Sequence, residues 1–369
     1  MTHLYDIAVL GSTPAGCAAA LRLARHKLDV VLLDVPSPVA ECPLADWAPA
    51  DLFKRAGMPK GLAAACGAVP FRHVRYHHAR LDKFVEHDSR KTAGMLVRYD
   101  RIRDVLKHAA AEAGVKFRST RTPPTIHLEE DQVRLVGTAQ AVARVLIVAC
   151  SRPGDVMADL SLPSRSVPQS LVVSGLDVPM SKAPEGSTGV LNIVELPERS
   201  ELGMFFCLED TVHMRVISHS LAAGTRASEL SAMVSNLQSA GVLPGELHLG
   251  RARGAVWHPP AGVALELETH VAKRCLLAGT AGGFAEAVTG QTLRPTIFSA
   301  LLAADAAAAA LKSDDVQNKL GEFKNAWREE LGDILRPPGA SLRLLLPLLF
   351  VNQTILGKFT QALLYGESI

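Results

Sequence analysis

The sequence predicts an α/β protein with a doubly wound parallel sheet, a second domain built on an antiparallel β-sheet, and a helical C-terminal tail. Three observations carry that prediction. A strand, a glycine turn, a helix and a second strand follow one another within residues 4–34. Apolar and polar residues alternate from about 170 to 260, and helical spacing dominates from 316 onward. Each pattern has its own period, and the period tells strand from helix.

LYDIAVL, residues 4–10, is an apolar run ended by Gly11, as suits a strand buried on both faces. Alanines and leucines recur at helical spacing over 14–26, and DVVLLD, 29–34, is a second buried strand. Strand, helix and strand within ~30 residues make a Rossmann-like βαβ unit with a right-handed crossover. Residues 36–95 hold prolines, a short helical patch at 51–55 and the stretch RHVRYHHARLDKFVEH. That stretch reads as a solvated basic helix or loop. His77, His78 and His87 are metal-ligand types, but no Cys or paired acid completes a site.

From residue 97, VRYDRIRDVLKHAAAEAGVKFR is an amphipathic helix stopped at Gly114 and followed by a strand. TIHLEEDQVRLVG reads as a hairpin and ARVLIVAC, 143–150, as another buried strand. LGMFFCLEDTVHMRVISH reads as two strands about a Glu209-Asp210 turn. KRCLLAGTAGG, 273–283, again runs a strand into a glycine turn, and the alanine-rich TIFSALLAADAAAAALKS follows as a long helix. The helical tail is interrupted at RPPG, 336–339.

Composition narrows the function. With 369 residues the chain supports about two domains. Apolar residues make up 48%, charged ones 21%, and the net charge is +2, so nucleic acid is not an expected partner. The six cysteines are scattered without a CxxC pair and no basic leader precedes the first strand, which points to reduced thiols in a cytoplasmic protein. Cys150 and Cys207 read as core thiols. The longest apolar run, LLLPLLFV at 344–351, is well short of the ~20 residues a spanning helix needs. The surrounding segment, 341–364, suits peripheral membrane contact, a cover over a substrate tunnel, or a dimer contact.

A phosphate-binding turn asks for one glycine to turn, one to admit the pyrophosphate and one to pack helix on strand. Gly11 and Gly16 supply the first and third, and Thr13 stands at the second. Pro14 and Ala15 open a helix whose amides and dipole face the anion. Asp34, 23 residues after Gly11, is placed to bond a ribose hydroxyl. The Thr13 Cβ would intrude on the pyrophosphate, while its hydroxyl offers a compensating donor. An ordinary βαβ unit that binds nothing has the same outline.

GSTPAG, 11–16, resembles the GxGPAG turn of FAD-dependent oxidoreductases in the geranylgeranyl reductase and p-hydroxybenzoate hydroxylase superfamily, which also includes flavin-dependent halogenases. The helix from 97 is similar to that family's R-x-x-F-D-x-x-L helix, and the match places Arg98 beside a flavin. LLAGTAGGFAEAVTGQTL is similar to LVGDAAGFxxPxTGEGI. The resemblance covers most of the chain. It implies one FAD along the sheet, with its adenine near Asp34, its ribityl chain at Thr280 beside Gly279, and further cofactor contacts from Gly290, Gln291 and Thr292. The helix from about 292 would aim its positive end at the flavin N1–C2=O edge. Also implied are a small hydrophobic substrate and NAD(P)H as reductant.

The same resemblance divides the chain into an FAD-binding domain (1–75, 96–165 and 255–312), a substrate domain (76–95 and 166–254) and a C-terminal helical segment (313–369). The departures from the pattern are Thr13, Thr280, Ala287, Thr292 and the strand-end pair Cys150-Ser151. Losing one charge-assisted hydrogen bond costs about 1.5–3 kcal/mol. The alternative is therefore a degenerate homologue with weak or no FAD binding that acts as a non-redox binding or assembly partner. The W-x-W-x-I-P motif of tryptophan halogenases is absent, and AVWHPP holds a single tryptophan, Trp257. His213 and His219 share one strand face, and His258 follows Trp257; each is a candidate general acid. For Trp257 the plainer alternative is packing beneath a proline loop.

Overall fold

The N-terminal βαβ unit founds the first sheet. In the computed structural model, which describes residues 3–35, 43–150, 158–162, 171–181, 188–196, 201–218, 227–243, 247–337 and 342–367, β1 (Leu4–Leu10) lies parallel between β2 (Val30–Asp34) and β11 (Ala141–Val148). β8 (Lys116–Ser119) extends the sheet past β2. β18 (Cys275–Leu277) and the antiparallel β17 (Val271–Ala272) extend it past β11. The side-chain period of two sends Ile7 and Val9 to one face and Ala8 and Leu10 to the other.

The first face is covered by α1 (Pro14–Arg25), α3 (Tyr99–Glu112) and α6 (Leu293–Ala310). The hairpin of β9 (Thr125–Leu128) and β10 (Val133–Val136) supplies Ile126, Val133 and Leu135 to the second. α6 is long and apolar enough to cross a membrane by length and composition. It is nevertheless mostly buried inside the protein, which makes it the core helix.

A small antiparallel sheet joins β3 (Ala45–Pro49), β7 (Gly94–Arg98) and β4 (Val69–Phe71), with the one-turn α2 (Leu62–Ala65) nearby. The third sheet holds β12 (Val172–Pro179), β13 (Val190–Leu196), β14 (Glu201–Leu208), β15 (Thr211–Ser218) and β16 (Arg253–Trp257), with β5 (His73–His77) and β6 (Phe84–Asp88). It is antiparallel except where β5 meets β13. α4 (Ala227–Ser239) packs on one face through Leu230, Val234 and Leu237. Val173, Met204 and Ile217 on the other face meet Trp47, α9 (Leu342–Leu349) and α10 (Gln353–Tyr365).

Two expectations are corrected. Residues 73–88 form a hairpin instead of a solvated helix or loop: Val74 and Tyr76 point into the core while Arg75 pairs with Glu86 across the strands at 2.8 Å. β5 and β16 belong wholly to the third sheet, so borders at 75/76 and 254/255 would each cut a strand. His77 bonds Asn192 Oδ1 and His78 bonds Asp82 Oδ1, both at 3.0 Å.

The remaining helices, α5 (Val263–Glu266), α7 (Val316–Gly321) and α8 (Phe323–Leu335), close the first core. There Phe284, Phe323 and Trp327 surround His270, whose Nε2 donates to the Gly282 carbonyl at 2.9 Å. Burial pushes His270 down to about 4. In the unfolded chain the ring takes a proton near 6.5, so between those values the unfolded state binds more protons. Stability is therefore complete above pH 6.5 and falls by about 3 kcal/mol as pH drops toward 4. Urea midpoints at pH 7 and 4.5 should show this loss, and His270→Phe should flatten it. An unchanged slope in the variant would contradict the assignment.

Candidate functional site

Steric demands of the backbone fix both glycines of the first turn. Gly11 has φ +109°, and a Cβ there would lie 2.7 Å from the Cys150 backbone. A Cβ on Gly16 would lie 2.0 Å from the Gly11 carbonyl oxygen. Thr13 has ordinary extended geometry and caps α1: its Oγ1 accepts from the Gly16 amide at 3.1 Å and donates to the Ala149 carbonyl at 2.9 Å. The hydroxyl has one proton and Ala149, just past β11, holds it, so the expected donor to a pyrophosphate is already engaged. Pro14 has no N–H. Among the described residues, nothing accepts from the amides of Ser12, Thr13 and Ala15.

The second glycine turn meets the first. Gly279 has φ +61° and a Cβ position 3.2 Å from the Ala15 Cβ, and its amide donates to Ser299 Oγ at 3.0 Å. Thr280 follows, half-buried. The chain then curls on itself. The Glu286 carboxylate accepts from the Val288 and Thr289 amides and from Thr289 Oγ1, each at 2.6 Å, and burial pushes its pKa up. Gly290 has φ +72°, with Pro259 and Leu171 against the space a Cβ would take.

Gln291 donates to the Trp47 carbonyl at 3.0 Å, and the Thr292 hydroxyl bonds Tyr99 Oη. α6 starts at this point without a side-chain cap. Among the described residues, no bond engages the amides of Thr292, Leu293 and Arg294. Ser299 lies six residues inside the helix, so its N-terminus projects roughly 9 Å beyond the Gly279 turn.

Asp34 ends β2 at the expected place, but Lys107 Nζ donates to its Oδ2 at 3.1 Å. Arg98 ends β7 with its guanidinium on Asp100, at 3.1 and 2.7 Å. Both side chains therefore already have partners within the chain.

The strand register assembles a polar group that sequence reading missed. Asp177 faces His213, and Gly175 faces Arg215. His213 Nδ1 lies 2.8 Å from Asp177 Oδ1 and its ring stacks on Phe206. Arg215, 2% exposed, donates to Asp177 Oδ1 (2.9 Å), the Met214 carbonyl (2.6 Å) and, across the layer, the Ala45 carbonyl (3.0 Å). Its guanidinium lies 5.3 Å from the Trp257 ring, in space that any side chain at Gly175 would fill.

Burial lowers His213 and Asp177 opposes the shift, which leaves a neutral imidazole at pH 7. Burial works to raise Asp177, but the His213 hydrogen bond and the Arg215 charge bring it below the usual range. Asp46, one residue beyond Ala45, is pushed up to about 7 by burial despite Arg215, with Glu286 adding to the rise. Arg215 Nε and Trp47 Nε1 are buried donors with no acceptor among the described residues.

His213 is thus brought into a polar cluster. His258 is not: Trp257 faces inward, so the next residue faces solvent. His219 lies outside the described residues. Cys150 and Cys207 are buried, as core thiols should be. The signal for the missed residues was available: Asp177 and Arg215 sit at inward positions of strongly alternating strands. Their pairing, however, depends on a register that spans 38 residues.

Compared with solved structures, the chain matches a geranylgeranyl bacteriochlorophyll reductase-like protein from Thermoplasma acidophilum at a TM-score of 0.76 and 15% identity, over 100% of this chain and 98% of that one. p-Nitrophenol 4-monooxygenase from Pseudomonas putida gives 0.72 and 16%, over 98% of each chain. A flavin-dependent brominase gives 0.69 and 12%, over 98% and 90%. The fold is that of these oxidoreductases. No family model and no curated protein matches the sequence. The reductase-like fold accounts for the two glycine turns meeting at one sheet edge, the edge where open α/β sheets bind ligands. Identities this low carry the fold and not the chemistry.

Proposed function

We propose that this chain is a flavin-dependent oxidoreductase that holds FAD along the carboxyl edge of its first sheet and acts on a hydrophobic organic molecule. One observation carries the reading: two helix N-termini, α1 and α6, offer unpaired amides near the meeting glycine turns, one beside the Gly11 turn and the other about one and a half helical turns, roughly 9 Å, before the residue that binds Gly279. An elongated ligand with a diphosphate at one end and a polar ring at the other fits that pair. Ser12, Thr13 and Ala15 would hold the diphosphate; Asp34 would take the ribose after parting from Lys107; Gly279 and Thr280 would flank the ribityl chain. The amides from Thr292 to Arg294 would face the ring, with Arg98, Gly290 and Gln291 around it. Bound flavin supplies two-electron redox chemistry, and NAD(P)H is the proposed reductant.

The substrate would reach the face that carries Trp257, Phe206 and Arg215, which Trp47, α9 and α10 cover, by local movement at its rim. The free N–H groups of Arg215 and Trp47 suit an oxygen on an otherwise apolar molecule. Asp177 holds the His213 Nδ1 proton, so Nε2 is the proton-accepting atom.

Engaged side chains favour a second reading, a homologue with weak FAD binding: the Thr13 hydroxyl, the Asp34 carboxylate and the Arg98 guanidinium each have a partner within the chain. An absorption spectrum of purified protein followed by FAD titration separates the two. The oxidoreductase reading expects flavin bands, or saturable binding at or below micromolar concentration. Thr280→Asp with Thr292→Gly should tighten FAD by about tenfold or more. No binding by either protein would leave only the fold in common.

A further inference from the structure

α9 carries apolar side chains on two opposite sides, and the core uses one of them. Leu346 and Leu349 are buried beneath the third sheet. Leu344, Leu348 and Val351 recur at i, i+4 and i+7 and are 72%, 41% and 79% exposed. Folding gains little from them where they stand. We propose that this stripe docks the protein onto an anionic lipid surface, entering the headgroup layer while neighbouring basic residues meet the lipid charges.

Charge decides the occupant. Between Asp333 and Glu367 the chain has Arg336, which pairs with Asp333 at 3.2 Å, and then Arg343 and Lys358, with no acid. The turn between β5 and β6 adds Arg80 and Lys83: Lys83 Nζ lies 5.4 Å from the Phe350 ring, and the His78 ring packs edge-on to it at 5.4 Å. Asp82 in that turn is paired with His78. A second copy docked on the same stripe would bring like charges together, and three aliphatic side chains fall far short of the ~1,200 Å² a stable interface buries. An anionic bilayer needs neither condition, because shallow apolar insertion and nearby basic charge add. This inference does not depend on flavin binding.

Flotation of the full-length protein with phosphatidylcholine vesicles, with and without phosphatidylserine, tests it. The expected result is binding to the acidic vesicles about tenfold above the neutral ones, weakening as salt rises. Leu344→Ser with Val351→Ser should lose that binding with an unchanged thermal midpoint, since both positions lie outside the core. Lys83→Glu with Lys358→Glu should remove the preference for acidic lipid. The proposal is overturned if the wild type floats with neither vesicle, or if the double-serine variant binds like the wild type. Sedimentation showing a wild-type dimer and a monomeric serine variant would also overturn it, by giving the stripe to a second copy.

Discussion

Gly16→Ala is expected to leave little or no soluble, folded protein. The new methyl would lie 2.0 Å from the Gly11 carbonyl oxygen. Gly11 cannot move aside, because its amide donates to the Leu33 carbonyl at 2.9 Å and its α-carbon abuts the Cys150 backbone. Relief would require lifting α1 off the sheet, and α1 packs against both α3 and α6. The loss should exceed about 3 kcal/mol, at the severe end for a single substitution. Gly332→Ala, inside α8 with nothing near its Cβ position, should instead gain up to about 1 kcal/mol. Soluble yield and urea midpoints decide it; a Gly16→Ala protein as stable as the wild type would contradict the packing. The two retained glycines are thus demanded by the fold, whether or not a ligand binds beside them.

Asp177→Ala is expected to cost about 3–5 kcal/mol, since it orphans a guanidinium that is almost fully buried. Combining it with Arg215→Met should recover a large part, with a coupling of 2 kcal/mol or more between the sites, a size that double-mutant cycles reach only for groups in direct contact. Denaturation at pH 7 of both single variants and the double measures this. A change below about 1 kcal/mol for Asp177→Ala would show that water already serves Arg215.

The βαβ unit was legible because its signals are local: two apolar runs, a turn that needs glycine, and an acid at the strand end. The 73–88 hairpin was not. His73, Arg75 and His77 mask the inward alternation of Val74 and Tyr76, and their partners Glu86 and Asn192 come from other strands. The fate of the Thr13 hydroxyl depends on a carbonyl 136 residues away. His213 was legible by parity along its strand, and the same parity, applied to Trp257, sends His258 outward. Asp46 gave no local hint: its environment comes from β15 and from the loop before α6.

The three bonds of Arg215 have a mechanical consequence. One guanidinium fastens β12, β15 and β3 together, so separating the large sheet from the small one would break a charged bond sealed from water. Hinged opening along that seam is therefore the costly route. Molecules should enter and leave by small local movements at the rim, while the two halves behave as one riveted block.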